Sequence, residues 1–408
     1  MISPSQLTPG AHDAAVAAGS PMFRMLGSLW GMFSPKRTRS EDDLATAPER
    51  LASLVKPICT DMLKGLRYPG VPQIKEESVE ALLQYMYKRA VEIGYPLDTP
   101  ISAKAFRLGH SLGLVNYLPR PSHYLTASHR RIVYPLPRKT SQLLTRRQLC
   151  HPNHPTEVQG YVGLFTWLVV QYDDIVGQND EMAEAQLFQE RFFKGEKQPN
   201  AMLEGLASLM REAPRWFDPV MANLLQISTL KFLTCNLLER HKGFMNMNIT
   251  RAGVKFPDFV RDLSGINVAF AVFCFPKAQY PDVEQYLEAI PDMARFIDIS
   301  NDVLSFYKEE LSGDTRNYVH NRAMATGRPV LVELEVIKNE VVEAANRAAV
   351  ILEGRGQYEQ SMHDSVRGLL AMHTANPRYK LKDLGLAEKH PLAPFEDQIG
   401  ELFERMRE

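Results

Sequence analysis

The stretch NDVLSFYKEE, Asn301 to Glu310, sets Asn301, Ser305 and Glu309 at a repeat of four. On a helix each such step turns about 400°, so the three side chains drift only about 40° per step and point one way. An amide, a hydroxyl and a carboxylate on one face are hard oxygen donors. That is the set Mg2+ accepts while keeping positions for water and phosphate oxygens. Lys308 falls in the same sector, and Val303, Leu304, Phe306 and Tyr307 cover the other sides. A polar stripe on a solvated outer helix has the same spacing, so this face alone leaves both readings open.

A second candidate closes an apolar run. LFTWLVVQYDDIVGQND ends in Asp173 and Asp174, with Gly177 after them. Carboxylates at a helix C-terminus face the negative end of the macrodipole, and two in succession call for a cation or for open solvent. Asp173 continues the face of Phe165 and Val169, so it stands at the mouth of whatever those residues line. A calcium loop does not fit, because the ligands do not alternate after the first position.

In this order along the chain the two elements resemble the class I terpene cyclases. NDVLSFYKEE is especially similar to the fungal trichodiene synthase-like sesquiterpene cyclases, in which a Lys also precedes the final Glu. FVRDLSG matches the diphosphate-sensing helix break of that family with Arg261, Ser264 and Gly265, and NPRYKL matches its late Arg–Tyr pair with Arg378 and Tyr379. The resemblance spans about 160–380, with weaker helical agreement back to about 60.

The resemblance implies an all-α class I terpenoid synthase bundle with a central active-site cavity. It implies farnesyl diphosphate as substrate and three Mg2+ ions. The activity is that of a carbon–oxygen lyase: the allylic C–O bond ionises and the carbocation cyclises to a sesquiterpene hydrocarbon or alcohol. A bridged alcohol such as longiborneol is the product this group suggests. Asp173, Asn301, Ser305 and Glu309 are the implied metal ligands. Arg261, Gly265, Lys308, Arg378 and Tyr379 are the implied diphosphate contacts.

Two positions depart from the family pattern. Gly177 replaces the last Asp of D-D-x-x-D, so metal binding rests on Asp173, with Asp174 orienting Arg378 or Lys308. Ser264 stands where Asp or Asn is frequent. The residues also make chemical sense by themselves. A leaving diphosphate gains charge, which a divalent metal with Arg and Lys donors stabilises. Arg offers a fork and Lys a point charge. Gly265 permits a break in its helix.

The elements that must position these residues are helical. SVEALLQYMYKRAVEIG puts Val79, Leu82, Leu83, Met86, Ala90 and Ile93 on one stripe. Further helices are predicted near 101–114, 157–174, 181–194, 199–212, 218–241, 256–273, 281–312, 328–354 and 358–375. The segments 157–174 and 256–273 are apolar nearly all round and should lie inside the bundle. RRIVYPLP (130–137) reads as an extended loop because of its prolines. Residues 1–48 read as a poorly ordered extension rich in small residues, and 49–408 as one helical domain.

Composition narrows the function classes. Forty-seven basic against 48 acidic residues leave a net charge of −1, so nucleic acid is not the expected partner. Four scattered cysteines form no CxxC pair, which suits a reducing, cytoplasmic compartment. No apolar run has the length of a membrane span. PMFRMLGSLWGMF (21–33) is an incidental patch or a weak membrane-surface or organelle-targeting helix. A homodimer is left open. HPNHP offers His151 and His154 at a zinc-like spacing without a partner pair. Two other functions fit a helical scaffold of this kind. A chain-elongating prenyl diphosphate synthase would carry two D-D-x-x-D motifs, and a non-catalytic binding protein would not need the ligand set.

Overall fold

The computed structural model describes residues 47–72, 76–95, 97, 151, 153–175, 179–245, 247–391 and 393–407. The predicted helix at 101–114 and the loop at 130–137 lie outside them. Among the described residues every regular element is a helix. In chain order these are α1 (Pro48–Gly65), α2 (Glu76–Glu92), α3 (Thr156–Ile175), α4 (Asn179–Gln186), α5 (Phe188–Lys194), α6 (Ala201–Trp216), α7 (Pro219–Arg240) and α8 (Lys242–Met245). They continue with α9 (Phe256–Ser264), α10 (Asn267–Val272), α11 (Ile290–Ser312), α12 (Tyr318–Thr326), α13 (Val330–Leu352), α14 (Gln357–Ala375) and α15 (Glu396–Arg407). None of them is long and apolar enough to cross a membrane.

Local chemistry sets several boundaries. The Asn200 side chain accepts from Leu203 N at 2.9 Å and starts α6, and Asp218 does the same for α7 through Val220 N at 2.8 Å. Pro291 sits in the first turn of α11, where its missing N–H costs nothing, and Gly313 in the left-handed conformation ends that helix. The predicted stripe of α2 is buried at Val79, Leu82, Leu83, Met86 and Ala90.

Two helices form the inside. In α3 every residue from Val158 to Val170 is buried, as its uniform apolarity predicts. In α11 every residue from Phe296 to Tyr307 is buried, although five of them are polar. Helices α1, α10 and α13 pack on α11, and α2 and α6 pack on α3. The helical segment over 256–273, for which the FVRDLSG motif implied a break, is two helices. It breaks after Ser264, passes through Ile266 with φ +46°, and restarts at Asn267. The first half is amphipathic, with Phe259 exposed, and the second half is buried except at Val268, which is partly so.

The ends of the described chain are tied together by one carboxylate. Glu388 accepts from the Tyr68 hydroxyl and from the Thr374 hydroxyl, each at 2.6 Å, and from Val71 N at 3.2 Å. The polar groups of the open surface cavity there, about 420 Å³ between Lys64, Arg67 and Leu386, are therefore largely spent on the fold.

Candidate active site

The three-oxygen face lies on α11. Asn301 and Ser305 are 0% exposed and Glu309 is 2% exposed, so a solvated stripe does not describe them. Asn301 Oδ1, Ser305 Oγ and Glu309 Oε1 are all buried and none closes a well-formed hydrogen bond; Glu309 Oε1 has the Lys308 ammonium 3.5 Å away. Buried polar atoms are nearly always hydrogen-bonded, and three under-satisfied oxygens on one helix face fit a hard divalent cation. The described residues contain no cluster of three or more His, Cys, Asp or Glu side chains that could hold a metal. Here two of the three donors are an amide and a hydroxyl, so that absence leaves this face untouched. Burial pushes the Glu309 carboxyl up, against the pull of Lys308.

Cations border this face. Lys308 Nζ lies 3.5 Å from Glu309 Oε1 and 5.9 Å from the centre of the Tyr379 ring. Burial pushes the Lys308 ammonium down; Glu309 opposes that and the Arg378 charge adds to it. Two cations that feel one another in a poorly solvated place favour an anion between them. Arg378 and Tyr379 belong to the 3-10 turn Pro377–Tyr379, which packs on α11. Asn376 starts that turn by accepting from Arg378 N at 3.0 Å. Tyr379 is fully buried and Arg378 is half-buried.

His373 joins the group without having been a sequence candidate. Its Nε2 is 3.0 Å from Asn301 Nδ2, and its Nδ1 is 2.7 Å from the Leu369 carbonyl oxygen. A single histidine on a buried helix face reads as core packing, so no local signal pointed to it.

A second group uses another face of the same helix. Arg261 Nε donates to Asp302 Oδ2 at 2.8 Å, and Nη2 donates to the Asp298 carbonyl at 2.6 Å. Nη1 lies 3.3 Å from Asp298 Oδ1 and 3.4 Å from Ser264 Oγ. Burial raises the Asp298 carboxyl to about 7, with Arg261 opposing and Asp302 reinforcing the shift. Asn267 also donates to Asp298. A Cβ at Gly265 would stand 1.9 Å from Asp298 Oδ1. The glycine is thus required by the approach of α11, while the left-handed residue of the break is Ile266. Asp298 and Asp302 had no assigned role in the sequence. Asp302 follows Asn301 directly, and about 100° of helix turn sends it to Arg261 instead of to the oxygen face.

The structure therefore brings Asn301, Ser305, Lys308, Glu309, Arg378 and Tyr379 into one neighbourhood and Arg261, Ser264 and Gly265 into the next. Asp173 is buried at the end of α3, and its carbonyl accepts from Arg240 Nη2 of α7 at 3.2 Å. The Asp174 side chain and Gly177 lie outside the described residues. His151 and His154 stack at 4.8 Å, and His154 Nε2 meets the Phe273 carbonyl at 3.0 Å, a packing role. Phe165, Phe270 and Phe273 pack edge to face at 5.2 and 5.5 Å.

Residues 116–407 match the trichodiene synthase (TRI5) family model. Terpene synthase BipA of Cochliobolus sativus is 31% identical over 326 residues, covering 79% of this chain and 88% of its own. Longiborneol synthase CLM1 of Gibberella zeae is 36% identical over 243 residues, 59% of this chain and 71% of its own. Monoterpene synthase 25 of Postia placenta is 34% identical over 247 residues, 60% of this chain and 72% of its own.

Proposed function

The chain belongs to the trichodiene synthase family, and from that premise we propose that it is a sesquiterpene cyclase that ionises farnesyl diphosphate with Mg2+ and releases diphosphate. The observation that carries this reading is the face of three buried oxygens without well-formed hydrogen bonds, with Lys308 and Arg378 beside it. Asn301, Ser305 and Glu309 would hold the cation, with Asp173 as a further ligand from α3. Mg2+ bound there neutralises the diphosphate and stabilises the charge that ionisation adds to it.

The chain's own groups do the rest. Lys308 and Arg378 hold diphosphate oxygens, and the Tyr379 hydroxyl donates to one. Arg261 rests on Asp302 and Asp298 and exchanges those oxygens for diphosphate, with Ser264 and the Gly265 break following its movement. Apolar side chains from α3 and α10 exclude water, so the allylic cation cyclises before it is captured. Proton loss or a single water then ends the sequence.

The longiborneol synthase relative supports a fifteen-carbon substrate and a bridged product. The relative named a monoterpene synthase supports a ten-carbon chain as the second reading. Chain elongation is disfavoured because the second metal face is N-D-x-x-S-x-x-x-E and not D-D-x-x-D. The deciding experiment incubates purified protein and Mg2+ with farnesyl diphosphate, with geranyl diphosphate, and with farnesyl plus isopentenyl diphosphate. Gas chromatography should detect a cyclic sesquiterpene from the first. Turnover of geranyl diphosphate alone would establish the second reading. A longer diphosphate from the third would establish elongation, and no Mg2+-dependent turnover of any substrate would leave only a binding role.

A further inference from the structure

His373 is fully buried on α14, facing α11. Its Nδ1 lies 2.7 Å from the Leu369 carbonyl oxygen. A carbonyl can only accept, so Nδ1 carries a ring proton, and Nε2 turns its lone pair toward the neighbouring amide N–H. Opposite that lone pair, at 3.0 Å, stands the Asn301 amide nitrogen. Turning the amide over would set Oδ1 against Nε2, two acceptors with no proton between them. The ring cannot swing away, because it is enclosed and the Tyr379 ring centre is 4.4 Å from its own.

The geometry points to His373 as a positioning residue that decides which end of the Asn301 amide meets the metal. With the nitrogen committed to His373, Oδ1 is the end left on the oxygen face, where it accepts no hydrogen bond. The inference rests on the cation site proposed above. It has a consequence that the ligand chemistry alone does not. Asp and Asn are both oxygen donors to Mg2+, yet a carboxylate at position 301 would present its second oxygen to the Nε2 lone pair. The site therefore requires an amide for its nitrogen as much as for its oxygen.

The test reads binding, not turnover: titration calorimetry of Mg2+ in the presence of inorganic pyrophosphate. His373→Phe keeps the ring volume and removes both nitrogens, and Asn301→Asp keeps the oxygen ligand. Each should weaken Mg2+ binding by about 10–100-fold, the usual effect of losing a group that orients a ligand. His373→Gln can accept from an amide or donate to a carboxylate. It should bind near the wild-type level alone and should restore binding within a few-fold when combined with Asn301→Asp.

Wild-type affinity in folded His373→Phe would overturn the inference. So would an equal loss in Asn301→Asp with and without His373→Gln, and that pair decides the matter if circular dichroism shows His373→Phe to be unfolded. Failure of the wild-type protein to bind Mg2+ with pyrophosphate would instead overturn the cation site itself, and this inference with it.

Discussion

Glu309 is the only charged donor among the three oxygens of α11, and the least comfortable as a bare carboxylate, since burial already favours its protonated form. A divalent cation reverses that preference. Glu309→Gln keeps the shape and an oxygen but removes the charge. Turnover should fall by about 100-fold or more, an effect of the size produced by losing about 3 kcal/mol of transition-state stabilisation. Ser305→Ala removes a neutral donor that water can replace and should cost less. Rates measured at limiting Mg2+ separate the two, and near-native turnover in Glu309→Gln would remove this face from the metal site.

At the scale of elements, the α9–α10 break exists because two helices come very close. Asp298 is pinned by Arg261 and Asn267, so it is not a flexible end that can step aside for a methyl group. Gly265→Ala therefore overpacks a rigid place and should destabilise the protein by about 1–3 kcal/mol. It should also disturb the seat of Arg261 and lower turnover more than mild heating of the wild type does. Urea denaturation and product analysis on one sample check both. Unchanged stability would mean that α11 can retreat. At the neighbouring Ile266 two terms compete. A left-handed non-glycine residue costs about 1–2 kcal/mol, while an Ile side chain buried to 2% exposure is worth about 2–5 kcal/mol on deletion. The burial term is the larger, which explains why a β-branched residue stays in that conformation.

For the whole molecule, the pH dependence of stability combines groups far apart in the chain. Burial pushes His390 down to about 4, from an unfolded value of about 6.5. Between those values the unfolded chain binds a proton that the native chain does not, so this contribution is complete above about 6.5 and is lost as pH falls through 4. Its size is about 3 kcal/mol. Asp298, raised to about 7, acts in the opposite sense: the native state holds the extra proton, so stability falls as pH rises from about 4 to 7. His390→Gln removes the first term and leaves the second. Over that window the two slopes nearly cancel in the wild type, so its urea midpoint should be nearly flat, while that of His390→Gln should rise toward acid. Parallel profiles for the two proteins would show that His390 charges in the native state at no cost.

Much of the site was legible because its spacing is local. A helix repeats every 3.6 residues, so Asn301, Ser305 and Glu309 share a face whatever surrounds them, and the apolar uniformity of 157–174 placed α3 inside. The Arg–Tyr pair and the break after Arg261 were readable as motifs. The sequence left open whether the oxygen face met solvent. Burial of a polar stripe depends on what the rest of the chain packs against it, and α1, α10, α13 and the 377–379 turn come from both ends of the sequence. The same reason hid the partners. Arg261 finds Asp298 and Asp302, Gly265 is held to a glycine by Asp298, and Asn301 is turned by His373. Each pairing joins segments with no common period, so only the packing of distant helices decides it.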